Sequence, residues 1–389
     1  MDARLQGERE SFQEHFAGLT DPRVVGRTRH ELMEVIIVAI CGMLCGAEGW
    51  VEIEEFGQAK EKWFRTWLTL PNGIPSHDTF GRVFSMLDPA EFQACYRRWV
   101  EAVNERTAGL LVAIDGKTSR RSHARGRGAA ALHTVSAWSV ADRLVLGQVH
   151  VGDKSSEATA IPALLDQLAL EGGIVTIDAA GCYKDIAAKI AERGADYVLA
   201  LKANQPKLLA EVRRHFSEAD DDRFPAARHD LHVTDEHGHG RHEIRLVDTI
   251  TAPERIRSLN PDGSWPGLRS IVRVQTRTPD HADRRPQTRF YLSTLDGNAA
   301  TAAGASRGHW SVENQLHWSL DVAFADDASR IRSGHAQANL VVLRHIALGL
   351  LRQDTLNKRG IKVKRLRAGW DADYLLHLLR LALVDPPTV

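Results

Sequence analysis

An α/β fold, distributed over two or three domains, is predicted for this chain of 389 residues. Residues 1–105 carry helical patterns and no run with the character of a strand. From residue 106 to residue 216, short apolar runs typical of strands alternate with helical stretches, which is the pattern of an α/β core. Residues 217–299 break that alternation with strand-like runs, so they are predicted to be a β-rich insertion, and the core resumes at residues 300–389.

The N-terminal region, residues 1–105, is predicted to be a helical domain. Helices are expected at residues 30–46, 51–68, 76–87 and 91–105. The first of them is apolar throughout, which indicates a buried helix, and Ser76 follows a cluster of helix breakers and is suited to cap the third. Two helices joined by a tight turn and carrying Arg82, Arg97 and Arg98 are compatible with a small DNA-binding unit, although an ordinary helical bundle explains the same residues at least as well.

The predicted core begins with three strands and continues with alternating strands and helices. The strands are expected at residues 110–114, 133–140, 143–151, 173–178 and 196–201, and the helices at residues 161–170, 183–193 and 206–216. Three antiparallel strands followed by strand–helix alternation is the order of a ribonuclease-H-like fold. The insertion is predicted to hold strands at residues 243–250, 270–276 and 289–295, and the main later helices are expected at 312–324, 335–352 and 374–383.

The charge and cysteine content exclude few functions. Lys and Arg together number 50, as do Asp and Glu, so the formal net charge is zero. This balance counts mildly against a nucleic-acid-binding protein, but such binding depends on where the charges lie. Four scattered cysteines form no disulfide framework, and Cys41 and Cys45 are interpreted as small buried side chains.

No membrane segment is predicted. The most apolar run, Val35 to Ala47, is too short to cross a bilayer, which takes about 20 residues, and Glu34 and Glu48 flank it. The start of the chain shows no signal-peptide pattern, so a soluble intracellular protein is expected.

Two aspartates follow apolar strands and are candidates for chemistry. Asp115 comes after LLVAI, and Asp178 ends GIVTID. Carboxylates at neighbouring strand ends would lie close together, which is costly unless a cation lies between them. Ligation by oxygen alone suits Mg²⁺ or Mn²⁺. The alternative is that each aspartate only forms a turn or caps a helix.

A third carboxylate, Glu313, lies in the segment RGHWSVENQLHW, residues 307–318. Glu313 and His317 are four residues apart and would share one face of a helix, which Asp321 continues. Arg307 and His309, just upstream, are placed to meet phosphates. The alternative is a capped and solvated surface helix.

These motifs resemble the DDE transposases of bacterial insertion sequences, in particular the ISAs branch, which includes the H-repeat-associated proteins. The resemblance rests on IDGK at residues 114–117, TIDAAG at 176–181 and HWSVENQLHW at 309–318. It extends over nearly the whole chain through DPR at 21–23, IPSHDTF at 74–80 and LKANQ at 201–205, followed by Arg330 and Asn339. One departure concerns a Tyr, an Arg and a Lys that a broader related group carries around its glutamate, where this chain has Ser306, His309 and Leu320.

The resemblance implies a ribonuclease-H-like catalytic core with an inserted β domain, and a catalytic, metal-binding triad of Asp115, Asp178 and Glu313. Two Mg²⁺ or Mn²⁺ ions would assist hydrolysis at the ends of a mobile element, followed by attack of the freed 3′-hydroxyl on target DNA. The expected partners are double-stranded DNA and a second copy of the chain. The expected location is the bacterial cytoplasm, with nucleoid association when DNA is bound.

Basic and aromatic residues near these motifs are the predicted DNA contacts. They are Lys117, Arg120, Arg121, Arg125, Lys202, Arg307, His309, Trp310, His317 and Arg330. Trp310 is assigned either to stacking on an unpaired base or to core packing.

Three other functions fit parts of this pattern. One is a ribonuclease-H-like nuclease that cuts DNA without joining it. A second is a catalytically silent DNA-binding protein derived from a transposase, against which the intact acidic triad counts. A third is a phosphatase or phosphodiesterase on small substrates, which the helical N-terminal region and the basic clusters disfavour.

Overall fold

A computed structural model describes residues 14–24, 26, 28–103, 110–123, 130–152, 155–221, 229–238, 241–281 and 286–381. The strands are β1 (Leu111–Thr118), β2 (His133–Ser139), β3 (Leu144–Val151), β4 (Ile174–Ile177), β5 (Asp196–Leu201), β6 (His229–Gly238), β7 (Arg241–Ile250), β8 (Ser270–Arg277) and β9 (Gln287–Ser293). The helices before β6 are α1 (Leu32–Leu44), α2 (Trp50–Ala59), α3 (Glu61–Phe64), α4 (His77–Met86), α5 (Pro89–Val103), α6 (Glu157–Leu165), α7 (Lys184–Glu192) and α8 (Pro206–Asp220). The later helices are α9 (Pro253–Leu259), α10 (Ala299–Ser311), α11 (Trp318–Phe324), α12 (Ala336–Gln353), α13 (Ile361–Trp370) and α14 (Ala372–Arg380), and a π-helical segment, Val312–His317, joins α10 to α11.

The mixed α/β class is confirmed, and the strands form one large mixed sheet. Its order is β3-β2-β1-β4-β5-β9-β8-β7-β6. Strand β4 runs parallel to its two neighbours, β1 and β5, while every other adjacent pair of strands is antiparallel. Strands β6 to β9 come from the segment predicted to be an insertion, and they extend the sheet from β5. The division into domains stays a prediction.

Helices cover both faces of the core part of the sheet. Side chains alternate along β1, so Val112 and Ile114 pack with α6 and α7, while Ala113 belongs to the opposite core. That opposite core unites the N-terminal helices with α12, which is buried along nearly its whole length. Asp115 is two residues beyond Ala113, so it points to the α12 side of the sheet.

Several predicted element boundaries shift for local physical reasons. Strand β1 extends past Ile114 to Thr118 because β2 continues to pair with it after β4 has ended. Pro89 is the first residue of α5, whereas the sequence suggested only that it ends the preceding helix. Proline is tolerated there because the backbone N–H groups of a helix's first turn have no partner within the helix. The sequence pattern missed β6 and α9, and α1 is confirmed as a buried helix.

No helix within the described parts of the chain combines the length and the apolar character that a membrane crossing requires. The apolar α1 is instead an interior element, since Val35 to Leu44 are all buried.

Buried polar contacts hold the C-terminal helices against the rest of the protein. The guanidinium of Arg365 donates to the backbone carbonyls of Met43, at 2.9 Å, and Ala47, at 2.8 Å, so α13 is fixed to the end of α1. Arg344, which is fully buried on α12, pairs with the buried carboxylate of Asp326. Such pairs fix the arrangement of elements because leaving either charge unpaired would be costly.

Helix α10 lies unusually close to β1 at Gly308. A Cβ atom at this position would be 2.3 Å from Cδ2 of Leu111, whereas a Cβ at Gly304, on the same helix, would meet nothing within 4 Å. The absence of a side chain at residue 308 therefore sets how near the α10 segment comes to the sheet.

This difference gives a matched pair of variants. Both Gly304→Ala and Gly308→Ala gain the helix propensity of alanine, about 1 kcal/mol, but only the second must displace Leu111. We expect Gly308→Ala to be less stable than Gly304→Ala by about 1–3 kcal/mol in chemical denaturation, the usual cost of overpacking. Equal free energies of unfolding for the two variants would show that the Leu111 side chain or α10 can make room at no cost.

Candidate active site

Asp115 and Asp178 are brought together by the pairing of β1 with β4. These strands run parallel, and Ile114 is opposite Ile177, so the two aspartates occupy the next positions on neighbouring strands. Strand β4 ends at Ile177, and Oδ1 of Asp178 accepts a hydrogen bond of 2.8 Å from the backbone N–H of Ala180. Asp178 thus also has the capping role considered as its alternative, without losing its place beside Asp115.

Glu313 comes from a distant part of the chain. It lies in the π-helical segment between α10 and α11, with a histidine four residues away on each side. His309 Nδ1 is 3.2 Å from Oγ1 of Thr176 on β4, and His317 Nδ1 is 3.5 Å from Oδ2 of Asp115. The two histidines therefore lie against the strands that carry the two aspartates, with Glu313 between them along the helix.

The helical segment is anchored on the sheet next to Glu313. Nε1 of the fully buried Trp138, on β2, donates a hydrogen bond of 3.1 Å to Oγ of Ser311. Val312 and Leu316 are buried on the inner side of the π-helix, while Glu313 itself is exposed. Departures of this kind from α-helical geometry occur often at functional sites because they redirect side chains locally.

Burial and neighbouring charges both act on the carboxylate of Asp115. The pKa of Asp115 is raised to about 7, chiefly by burial and also by the charges of Asp178, Glu157 and Glu313, against the lowering effect of the Gly116 backbone N–H. Burial also lowers the pKa of His317 to about 3, so this neighbour is neutral near pH 7. The adjacent histidine therefore supplies no positive charge to balance the acidic group.

The nearest lysine along the chain is already paired with other acids. Nζ of Lys117 is 2.6 Å from Oδ1 of Asp321, and 3.9 Å and 3.7 Å from carboxylate oxygens of Asp326 and Asp327. Its side chain is 13% exposed. A divalent cation would offset the charge of Asp115, Asp178 and Glu313, since carboxylate oxygens are suitable ligands for Mg²⁺ or Mn²⁺.

The triad is more widely spread than the ligands of one ion. Within the described residues, two groups place three possible ligand atoms within 4.8 Å of one another. One is Asp235, His237 and His242 on the β6–β7 hairpin, and the other is the acidic group around Lys117, namely Asp321, Asp326 and Asp327. The triad is not among them. A pair of ions about 3.5–4 Å apart, as in two-metal sites, needs ligands distributed over such a wider area.

The other residues predicted to contact DNA are scattered around this site. Arg121, Lys202 and Arg330 are exposed, and the guanidinium of Arg120 is 3.2 Å from a carboxylate oxygen of Asp327. Arg125 lies outside the described residues. Asp321, expected to continue the face of Glu313, instead binds Lys117.

A groove of about 630 Å³ lies between α10 and strands β7 to β9, and Asn314, next to Glu313, lines it. Its lining includes three arginines, Arg245, Arg289 and Arg307. The guanidinium of Arg289 stacks over the ring of Trp310 at 4.2 Å, while Arg307 Nη1 is 2.5 Å from Oε2 of Glu236. The ring of Trp310 is therefore covered by the guanidinium of Arg289, and Trp310 lines the same groove as Asn314, the residue after Glu313.

Sequence reasoning missed Glu157, His133, Arg245 and Arg289 in this neighbourhood. None of them belongs to a motif, and each approaches the site only through strand pairing or packing. A possible signal for Glu157 was its place after two serines, four residues before the helix predicted at 161–170, but that pattern indicates only a helix start.

Comparison with known proteins gives consistent matches. A family model described as "Transposase DDE domain" matches residues 106–350, and one described as "DDE_Tnp_1-associated" matches residues 13–100. The "H repeat-associated putative transposase YhhI" of Escherichia coli (strain K12) is 36% identical over 96% of this chain and 98% of its own length. The "Putative transposase YncI" of Escherichia coli O157:H7 is 37% identical over 95% of this chain and 94% of its own. A piggyBac transposase synaptic complex with hairpin DNA is 10% identical, with a TM-score of 0.44 over 98% of this chain and 82% of that chain, a likeness too slight to bear on the fold.

The grouping of carboxylates generates a prediction about metal binding and stability. Mn²⁺ should raise the melting temperature of the wild-type protein, since a ligand at 100 times its Kd stabilises the folded state by about 2.7 kcal/mol. Asp115→Asn removes one ligand and part of the repulsion, so it should melt at or above the wild-type temperature in metal-free buffer and respond weakly to Mn²⁺. Thermal denaturation with and without Mn²⁺ measures both effects.

The control is Asp185→Asn, which changes an exposed aspartate on α7 and should respond to Mn²⁺ as the wild type does. An undiminished Mn²⁺ response in Asp115→Asn would mean that the ion binds elsewhere.

Proposed function

The chain belongs to the DDE transposase family, and we propose that it hydrolyses DNA at the ends of a mobile element and joins the freed 3′-hydroxyl groups to target DNA. The observation that supports this proposal is that Asp115 and Asp178 follow paired positions of β1 and β4, while His309 and His317, on either side of Glu313, contact Thr176 and Asp115. Family membership alone does not require these three side chains to approach one another, but the proposed chemistry does.

A ribonuclease-H-like core is part of the same proposal. The order β3-β2-β1-β4-β5, with an antiparallel β1–β2–β3 meander followed by parallel β4 and β5, supports it. In this scheme residues 106–216 and 300–389 form the catalytic core, residues 217–299 the β-rich insertion and residues 1–105 the helical domain that binds DNA ends.

Asp115, Asp178 and Glu313 would hold two Mg²⁺ or Mn²⁺ ions. Bound there, the ions supply activation of the attacking oxygen and stabilisation of the leaving oxygen. The protein keeps the three carboxylates in place: Asp115 lies within a strand paired on both sides, and Asp178 is held by its cap on Ala180. Neutral His317 borders Asp115 without competing for its negative charge.

Two basic surfaces are suited to hold the DNA. One is the groove with Arg245, Arg289 and Arg307, which adjoins Glu313. The other is a cleft of about 920 Å³ between the N-terminal helices and the loop before α12, lined in part by Arg82, Arg330 and Arg332. Both surfaces would neutralise phosphates, the first near the scissile bond and the second along the flanking duplex. Two copies of the chain are expected to act together on paired ends.

Loss of a single triad carboxylate provides the direct test of the activity. Asp178→Asn should reduce cleavage of a duplex that contains the element end by several orders of magnitude in the presence of Mn²⁺, because ligation and charge neutralisation fail together. Cleavage is followed on a labelled duplex, and joining is followed with a precut end that already has a free 3′-hydroxyl. Asp185→Asn is the matched control and should cleave and join at the wild-type rate. Wild-type cleavage by Asp178→Asn would remove Asp178 from the mechanism. If the wild-type protein cleaves the duplex but does not join the precut end, it is a nuclease without strand-transfer activity.

The groove generates a separate prediction about DNA affinity. Arg289→Ala should weaken binding to any duplex severalfold and reduce the slope of log Kd against log salt by about 1, because one phosphate contact is lost. Fluorescence anisotropy across a salt series measures both quantities. Arg257→Ala, an exposed arginine on α9, is the control and should leave the slope unchanged. The same slope in Arg289→Ala and wild type would place the DNA outside the groove.

A further inference from the structure

Two histidines and an aspartate converge at the end of the β6–β7 hairpin. Nε2 of His242, on β7, is 2.7 Å from Oδ1 of Asp235, on β6, and Nδ1 of His237 is 3.8 Å from the same oxygen. The rings of His237 and His242 are stacked, with their centroids 4.0 Å apart. Each of the three side chains thus offers one possible ligand atom within 4.8 Å of the other two.

The pairing of the two strands holds this group on one face of the hairpin. His237 is directly opposite His242, and Asp235 is two residues before His237, so all three side chains point to the same side. Glu236, between Asp235 and His237, points to the other side, where it pairs with Arg307 in the groove. The group therefore lies on the face of the hairpin that is turned away from the groove.

Hydrogen bonding accounts for only part of this arrangement. His242 and Asp235 are close enough to share a hydrogen bond, but the 3.8 Å between His237 and Asp235 is too long for one. The ligand atoms of a tetrahedral Zn²⁺ ion, each about 2.0–2.2 Å from the metal, are roughly 3.3–3.6 Å apart. The two observed separations lie on either side of that range, so small side-chain rotations would bring the atoms to the spacing of metal ligands.

The surroundings of the group permit this adjustment. The side chains of Asp235 and His237 are 56% and 74% exposed, so both can rotate, and water can reach a fourth position around an ion. His242 is only 21% exposed, and its backbone N–H donates a hydrogen bond of 2.9 Å to Asp280. One ligand is therefore fixed by its packing, and the other two can move towards it.

The donor atoms determine which ions suit the group. Imidazole nitrogen suits Zn²⁺, Ni²⁺ and Cu²⁺, whereas Mg²⁺ and Mn²⁺ prefer oxygen ligands. Two imidazoles, one carboxylate and a water make up a common four-coordinate set for Zn²⁺. This preference differs from that of the triad, which offers carboxylate oxygens alone.

The end of the hairpin is a place where such an ion would stabilise the fold. The pairing of β8 with β7 ends at Ile244, which is opposite Asp235 on β6. Beyond this point the described ladder consists of β6 and β7 alone, and it ends at the pair of Gly238 and Arg241. Two-stranded ribbons are only marginally stable in water. The ligands come from both strands, so an ion bound to them would link the strands where β8 no longer supports them.

We propose that Asp235, His237 and His242 form a metal site that binds one Zn²⁺ ion, with water as a fourth ligand, and that the ion cross-links β6 to β7 at the end of the hairpin. The site is separate from the triad in residues and in ion preference. It does not depend on the proposed reaction with DNA.

Zn²⁺ titration of the full-length protein by calorimetry, in excess Mg²⁺, tests this site. Mg²⁺ competes for carboxylate sites but scarcely for imidazole nitrogen. The wild type should bind one Zn²⁺ per chain that His237→Ala and His242→Ala each bind at least about tenfold more weakly, since loss of a ligand costs no less than loss of a residue that orients one. With Co²⁺ in place of Zn²⁺, the visible absorption of a four-coordinate ion should appear in the wild type and be lost in both variants.

His77→Ala is the matched control. His77 is also an exposed histidine bonded to a carboxylate, with Nδ1 2.6 Å from Oε2 of Glu54, but it belongs to neither of the three-ligand groups within the described residues. This variant should bind Zn²⁺ as the wild type does. Circular dichroism reports whether each variant keeps the fold.

Amide hydrogen exchange tests the cross-link itself. Zn²⁺ at 100 times its Kd should slow exchange through local opening of the β6–β7 hairpin by up to about 100-fold in the wild type, because opening would require release of the ion. The same addition should leave exchange in His242→Ala unchanged. Asp235→Asn, which keeps the shape of the side chain but removes its charge, should lose most of the protection.

The possible results bear on this site alone. Absence of Zn²⁺ binding by the wild type in excess Mg²⁺, or wild-type affinity in His237→Ala and His242→Ala, would overturn the metal site. Binding that requires both histidines but leaves exchange of the hairpin unchanged would overturn the cross-link. The proposed function would stand in either case, since it depends on Asp115, Asp178 and Glu313.

Discussion

The parallel pairing of β1 with β4 is the constraint on which the site depends. It places Asp115 and Asp178 directly after paired residues of adjacent strands. Two ionised carboxylates at such positions repel each other unless a cation binds between them. Strand β1 is hydrogen-bonded on its other side to β2 beyond the end of β4, so Asp115 cannot withdraw without breaking sheet hydrogen bonds. The folded chain therefore contains a concentration of negative charge that its own packing maintains. Folding free energy from the sheet and the apolar cores packed on it opposes that repulsion, and a bound cation would relieve it.

The third carboxylate depends on how one helix packs against the sheet. Glu313 has no strand to hold it, and its position follows from the close approach at Gly308, the hydrogen bond from Trp138 to Ser311 and the buried residues Val312 and Leu316. A second set of contacts involves the buried carboxylate of Asp326. This carboxylate pairs with Arg344 and accepts a hydrogen bond of 2.9 Å from Oγ of Ser119, just after β1. The buried polar contacts thus join α12, the turn after α11 and the end of β1. These connections make the position of Glu313 relative to Asp115 a property of the core rather than of a surface loop.

The sequence predicted well those features that local patterns determine. Strands β2, β3, β4 and β5 and the buried helix α1 lie close to their predicted positions because hydrophobic periodicity and turn residues are local signals. The nearness of Asp115 to Asp178 also followed from two strand ends. The continuation of β6 to β9 in the same sheet did not, because strand neighbours are chosen by long-range pairing. Glu157 and Arg289 were missed for the same reason: each is an ordinary charged residue in its own segment, and only packing brings it to the site. Strand β6 escaped notice because its sequence, HDLHVTDEHG, is too polar to indicate burial.

The balanced net charge does not count against DNA binding once the positions of the charges are known. In the groove, Arg307 pairs with Glu236 and Arg245 with Glu243, so two of its three arginines are already neutralised within the protein. The exposed Arg307–Glu236 pair contributes about 0–1 kcal/mol, and a DNA phosphate can replace its carboxylate at little cost, while the Arg245–Glu243 pair is half-buried. Lys117 differs, because its ammonium is almost enclosed by Asp321, Asp326 and Asp327, and releasing it would leave those carboxylates uncompensated. The basic side chains thus fall into two groups: those that can exchange a protein carboxylate for a phosphate, and those, such as Lys117, that cannot. The exchangeable ones lie beside Glu313, where a phosphate backbone would have to pass to reach the triad.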